Sequence, residues 1–197
     1  MTNTVILFGA TGGIGSATQT ILLKNGYSVV PVQRSHVDLT ATDADQKIKS
    51  ILDQYDPIAV VNCAGHFGNN EETNNQTLQI NFNSNWSIVQ YYLKHPAKQT
   101  TIVMIGSSAY RSGKKDYMLY SASKAALYNL WQGARDYFNS TNISIYLINP
   151  VRTKTKMIAP YQAHLNYLDP VDIAVEILNA IKNSVSMCID MNFKETK

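Results

Sequence analysis

The chain has little cysteine, little charge and no long apolar run. Of its 197 residues two are cysteine, Cys63 and Cys188, and four are histidine, His36, His66, His95 and His164. The cysteines lack a metal-ligand spacing and the histidines are scattered, so no metal site is expected. Two isolated cysteines also exclude a disulfide scaffold and suit a reducing compartment. Charged residues make up 16% and the net charge is +3. The densest basic cluster, Arg111 to Lys115, is interrupted by Ser112 and Gly113, which argues against a nucleic-acid surface. No apolar stretch is long enough to span a bilayer. Met1 leads into the strand-like Val5-Ile6-Leu7-Phe8 without the pattern of a signal peptide. These absences predict a cytoplasmic protein with neither nucleic acid nor membrane as partner.

What is present is an ordinary globular balance, 45% hydrophobic, at a length that suits one domain over residues 1–197. Short apolar runs alternate with helical patterns. Strands are predicted at 4–9, 28–33, 58–62, 101–106, 143–148 and 186–190. Pro31 sits awkwardly in the second. The first helix puts Ile14, Ala17, Ile21 and Leu22 on one face and stops at Asn25-Gly26. Thr40 and Asp43 resemble a capping box before a helix with Ile48, Ile51, Leu52 and Tyr55. Longer helices are predicted at 76–94, with Leu78, Phe82, Val89 and Leu93 on one face, and at 117–138. Asp169-Pro170 starts a last helix with Val171, Ala174, Val175, Leu178 and Ile181. Such alternation predicts a Rossmann-type, doubly wound α/β fold, with a mostly parallel sheet of six or seven strands and helices on both faces. Only four residues separate Gln33 from Asp38, too few for a parallel crossover. Six strands, with a shortened connection after residue 33, is the expectation.

Gly9-Ala10-Thr11-Gly12-Gly13-Ile14-Gly15 falls where the first strand gives way to the first helix. Exposed backbone N–H groups and the helix dipole favour a dinucleotide pyrophosphate there. Glycine is needed where a side chain would hold the backbone off the phosphates. The second strand ends in Gln33-Arg34-Ser35, with no carboxylate for ribose hydroxyls. A guanidinium there suits a 2′-phosphate, so NADP is expected in preference to NAD.

Tyr120-Ser121-Ala122-Ser123-Lys124 lies in the predicted helix 117–138, where residues four apart share a face. A cation beside the phenol would lower its pKa toward neutrality. Alone, the pair reads more readily as a surface Tyr and Lys that share a helix face. Yet Gly106-Ser107-Ser108 and Asn62-Cys63-Ala64-Gly65 end strands at the same carboxyl edge, where open α/β sheets bind ligands, and Asn81 lies near the start of the long helix.

With the stretch Asn149-Pro150-Val151-Arg152-Thr153-Lys154-Thr155, these motifs resemble the short-chain dehydrogenase/reductase family, in order over residues 4–190. The resemblance implies a hydride exchanged between nicotinamide and a small carbonyl or alcohol substrate. Tyr120 would be the general acid/base. Lys124 would lower its pKa and bind the nicotinamide ribose. Ser107, thirteen residues before Tyr120, would orient the substrate oxygen, with Ser108 as rival. Asn81 would hold a water linking Lys124 to solvent. Asn62, Ala64 and Gly65 would border the cofactor; Asp38 would meet the adenine amine; Pro150, Thr153 and Thr155 would lie by the carboxamide. Relatives pair subunits through the long helix and the Tyr120 helix, so a homo-oligomer, dimer or tetramer, is implied. Core burial ranks first for Trp86.

Phe8, where many relatives have threonine, and Cys63, which replaces the second asparagine of the NNAG motif, depart from the family pattern at largely structural positions. Two further departures bear on function. Val151 stands where the family has glycine and would narrow the approach to the nicotinamide. The segment between Thr155 and Asp169, which forms the substrate lid in relatives, is short, with Met157, Ile158 and Tyr161 as its apolar residues. These departures keep a second reading in play, a non-catalytic NADP-binding sensor or interaction protein. His66, Phe67, Tyr110 and Tyr117 are placed at the approach to the site.

Overall fold

A computed structural model describes residues 3–69, 75–96, 98–157 and 166–193. Six strands form one parallel sheet in the order β2-β1-β3-β4-β5-β6: β1 Thr4–Phe8, β2 Ser28–Val32, β3 Ala59–Asn62, β4 Thr100–Ile105, β5 Ile143–Pro150 and β6 Met187–Met191. The chain steps to the far side of β1 between β2 and β3. The carboxyl edge therefore holds a crevice between β1 and β3, the position where doubly wound sheets bind ligands.

The alternation within strands divides the core. Ile6, Phe8, Val60, Ile102, Met104, Ile145 and Leu147 face one layer of helices. That layer contains α2 Ala44–Tyr55, α4 Ser84–Lys94 and α5 Met118–Phe138, which contribute Ile48, Leu52, Ile88, Leu127, Trp131 and Phe138. Val5, Leu7, Ala59, Val61, Val103, Tyr146 and Ile148 face the other layer. There α1 Gly13–Lys24 and α6 Pro170–Asn183 supply Leu22, Ile173, Ile177 and Ile181. Every residue of β1 and β3 is buried, as a sheet covered on both faces requires.

Local chemistry explains most boundaries. Gly26 takes a positive φ of 81° just past α1. Pro31 is tolerated because β2 is an edge strand. Asp169 accepts a hydrogen bond from Val171 N at 2.8 Å, and Pro170 occupies the first turn of α6. The shortened connection after residue 33 is a tight turn in which His36 N and Val37 N both donate to Gln33 O.

Several expectations are corrected. The capping box does not form: Thr40 donates its hydroxyl to Asp38 at 2.7 Å, and Asp43 makes no side-chain cap. The helix over 76–94 forms with the expected bounds but is not α-helical throughout. A short α3, Gln76–Leu78, passes into a π-helical turn, Gln79–Asn83, before α4. The wider turn changes the phase of the apolar face, so α4 buries Ile88, Val89, Tyr91 and Tyr92. Trp86 is 37% exposed, not core. On α6, Val171 and Val175 lie in solvent while Ile173 and Ile177 are buried.

Candidate active site

A cavity of about 1030 Å³ runs along the carboxyl edge of the sheet. One end is built by β1, β2 and α1. Gly9, at φ +71°, is indispensable there: a Cβ on it would lie 2.5 Å from Ala64 N. Gly15 lets α1 approach the strand end, since its Cβ would collide with Gly9 O. The first turn of α1 has no side-chain cap and no acidic residue. Thr11, Gly12, Gly13 and Ile14 line the cavity at this helix start, where first-turn N–H groups lack intrahelical partners and suit an anion. Thr155 stands over this loop, with its Cγ2 2.7 Å from where a Cβ on Gly13 would be.

Beyond β2, Arg34 Nε and Nη2 donate to Asp38 Oδ2 at 3.2 and 3.1 Å. The Thr40 hydroxyl and backbone N–H, with Arg34 adding to them, hold the Asp38 carboxyl down at about 2. A carboxylate thus does reach the end of β2, brought there by the turn after Gln33.

The other end of the cavity lies at β4 and β5. Ser107, Tyr120 and Lys124 all line it, with Ser108, Pro150, Val151, Thr153 and Thr155. Burial pushes the Tyr120 phenol above its ordinary range; the Ser107 hydroxyl opposes this and Tyr117 adds to it. Lys124 is 4% exposed and donates from Nζ to Ile105 O at 2.9 Å. Its Nζ is 5.7 Å from the Tyr120 ring centre. Burial lowers Lys124 to about 8. The ammonium is turned to the Ile105 carbonyl, and desolvation governs both groups.

Four sequence-derived residues stand off the cavity wall. Gly15 is buried under the glycine loop, and Ser35 is exposed. Asn62 is buried: it donates to Ser84 Oγ at 2.9 Å and accepts from Ala64 N at 3.1 Å, so it shapes the loop whose Ala64 and Gly65 do line the cavity. Asn81, in the π turn, accepts from His66 N and donates to His66 O and Ser123 Oγ. Ser123 donates in turn to Tyr120 O. Both amide hydrogens of Asn81 are thereby spent, and the side chain ties the loop after β3 to α5.

One contact was not singled out from sequence. Asn149 Oδ1 accepts from Ser107 N at 3.2 Å, and its side chain fills the space left by Gly106. The signal was a glycine preceding Ser107 on the strand beside Asn149. Phe67 packs against Tyr117 and Tyr120, with ring centres 4.8 Å apart in each case. Met157 lines the cavity, while Ile158 and Tyr161 lie outside the described residues. Among the described residues, no group of three or more His, Cys, Asp or Glu is placed to hold a metal, and no helix is long and apolar enough to cross a membrane.

The fold is shared with solved structures. A 3-alpha-hydroxysteroid dehydrogenase from Pseudomonas sp. B-0831, complexed with NADH, superposes with TM-score 0.81 at 16% identity, covering 95% of each chain. A short chain dehydrogenase from Burkholderia cenocepacia J2315, in complex with NADP, does so with TM-score 0.81 at 16% identity, covering 98% of this chain and 89% of that one. In sequence, an uncharacterized oxidoreductase of Staphylococcus aureus strain MW2 is 26% identical over 206 residues, covering 89% of each chain. The profile of short chain dehydrogenases matches residues 36–166, well over half of the sequence and including the Tyr120 helix. The chain belongs to the short-chain dehydrogenase/reductase family of oxidoreductases.

Proposed function

We propose that this protein is an NADP-dependent reductase of small carbonyl compounds, with residues 1–197 carrying both the cofactor site and the reacting groups. The observation that carries the reading is the meeting of Ser107, Tyr120 and Lys124 at one end of a cavity whose other end is the glycine loop. The residues suit a dinucleotide: the Gly9–Gly15 loop would hold the pyrophosphate, Arg34 the 2′-phosphate and Asp38 the adenine amine. Pro150, Thr153 and Thr155 would take the carboxamide, and Lys124 the ribose. When bound, NADPH supplies a hydride to the carbonyl carbon.

The chain's own residues handle the proton. The Tyr120 phenol, which burial pushes above its ordinary range, is protonated at rest and would donate to the substrate oxygen in reduction. Ser107 hydrogen-bonds the same oxygen and orients it. As the proton leaves Tyr120, the nearby Lys124 ammonium stabilises the phenolate, an interaction strongest in the transition state. Asn81 and Ser123 hold the turn of α5 that presents Tyr120. The exposed ring of Trp86, beside a groove lined by Phe82, Ala126, Asn129 and Leu130, supports a homo-oligomer assembled through α4 and α5. The test of the reaction is NADPH oxidation by purified protein against a panel of aldehydes, ketones and quinones. No turnover on any of them would end the reading.

A further inference from the structure

The order of the strands separates the two ends of the cavity chemically. The glycine loop and the Arg34–Asp38 pair stand at β1 and β2, and Ser107 stands at the end of β4. Chain that leaves β5 starts on the far side of β4 from β1 and, by Thr155, has come back over Gly13. Arg152 is on this stretch, two residues beyond β5, and it lines the cavity.

Arg152 is held in place without being neutralised. Its carbonyl accepts from Leu168 N at 2.8 Å, and the adjacent Val151 N donates to Met191 O at 3.1 Å. Its guanidinium lies over the ring of Phe193, 5.4 Å from the centroid. Its Nε is shut off from solvent and has no hydrogen-bond partner among the described residues. Asp190, the acidic residue of β6, is already held by Arg111 at 2.6 Å and by Tyr110 at 3.2 Å. Lys114, on the segment leading into α5, adds a second cation to the cavity wall, and the exposed Asp116 lines the same cavity as a carboxylate. Lys156 follows Thr155, which stands over Gly13, and so belongs to the glycine-loop end.

A stacked guanidinium with unspent N–H donors is preorganised for a planar or tetrahedral anion. A buried donor left unpaired is costly, and a ligand oxygen would remove that cost. We propose that Arg152 recognises an anionic group of the substrate, a carboxylate or phosphate carried on the molecule whose carbonyl faces Tyr120. Lys114 supplies further positive potential. Calling this anion part of a substrate rests on the reductase reading above.

The test uses the full chain and Arg152→Met, which keeps the stem over Phe193 and removes the charge. Inorganic phosphate is titrated calorimetrically into NADPH-loaded protein, so that the cofactor's own phosphate sites are filled. Saturable binding is expected in the unmodified protein, and a loss of about ten-fold or more in R152M, with NADPH affinity unchanged. Two matched pairs, succinic semialdehyde against butanal and dihydroxyacetone phosphate against dihydroxyacetone, separate a substrate group from a free anion. R152M should raise KM for the charged member of a pair and leave the neutral one alone. Equal phosphate binding in both proteins, or none in either, overturns the proposal, as does a loss of NADPH affinity with phosphate binding intact. If NADPH does not bind at all, the reductase reading fails separately. Phosphate binding to the unloaded protein, weaker in R152M or not, then decides whether Arg152 is an anion site.

Discussion

Lys124 reaches past Tyr120 to the carbonyl of Ile105, at 2.9 Å, and leaves its ammonium 5.7 Å from the centre of the Tyr120 ring. The two groups are neighbours without being a hydrogen-bonded pair. Burial pushes them in opposite directions, the phenol up and the ammonium down to about 8. Between about pH 8 and the phenol's raised value, both are neutral. Reduction needs the phenol protonated and gains from a charged Lys124. The expected result is a kcat/KM for carbonyl reduction that falls as pH rises past about 8, reporting the free enzyme. A profile flat to pH 10 would contradict it.

The same lysine makes a stability prediction. Its folded value, about 8, lies below the ordinary 10.5, so the unfolded chain binds the proton more tightly. The charge therefore destabilises the fold below about pH 8, and this penalty disappears as pH rises toward 10.5. At full strength it is on the order of 3 kcal/mol. Lys124→Met removes it but leaves the Ile105 carbonyl without this donor, a loss of about 1–3 kcal/mol. The net expectation for cofactor-free protein at pH 7 is a Tm a few degrees higher, since about 1 kcal/mol moves a domain of this size by roughly 2–4 °C. By pH 10.5 the variant should lose this advantage. Calorimetry across pH checks both.

Asn149 positions Ser107 through its backbone N–H and packs where Gly106 has no side chain. Asn149→Ala removes that bond and opens space behind the serine. A misplaced Ser107 would reduce kcat by about ten-fold or more, because orientation of the reacting atoms is lost. NADPH affinity should change little. Steady-state kinetics beside a direct NADPH titration distinguishes the two effects.

Much of this was readable before any coordinates. The short apolar runs of the strands and the helix stop at Asn25-Gly26 are local properties, and the fold keeps them. The glycine loop and the Tyr120–Lys124 spacing are equally local, and both reach the cavity wall. What escaped depends on residues meeting across space. Asp38 reaches Arg34 because 33–37 coil into a turn. Thr40 chose Asp38 over the helix start. The π turn at Gln79–Asn83 re-aims Asn81 and rotates the face of α4, which leaves Trp86 outside. Propensity and periodicity carry no information on which neighbour a short polar side chain will find.

The Arg34–Asp38 pair modifies the cofactor expectation. A phosphate must share Arg34 with a carboxylate held ionised down to about pH 2. Arg34→Ala should raise the KM for NADPH by about ten-fold or more and leave NADH nearly unchanged, since charge-assisted bonds to phosphate are lost. Asp38→Asn should improve NADPH over NADH by freeing the guanidinium. Equal effects on both cofactors would remove Arg34 from the phosphate site.

Trp86 tests assembly. Its ring borders a groove of about 350 Å³ with Phe82, Ala126, Asn129 and Leu130. Trp86→Glu places a charge there at little cost to the core, because the ring is 37% exposed. Light scattering should show an oligomer for the unmodified protein and a smaller species for the variant. An unmodified protein that runs as a monomer would refute the assembly.

The central claim is that the Tyr120 phenol gives its proton to the substrate oxygen. Tyr120→Phe keeps the ring against Phe67 and deletes only the hydroxyl. The decisive measurement is NADPH oxidation by this variant with a carbonyl compound the unmodified protein reduces, alongside its NADPH affinity. A fall in kcat of about a hundred-fold or more with NADPH binding retained is the predicted result. Turnover undiminished by the substitution would contradict it.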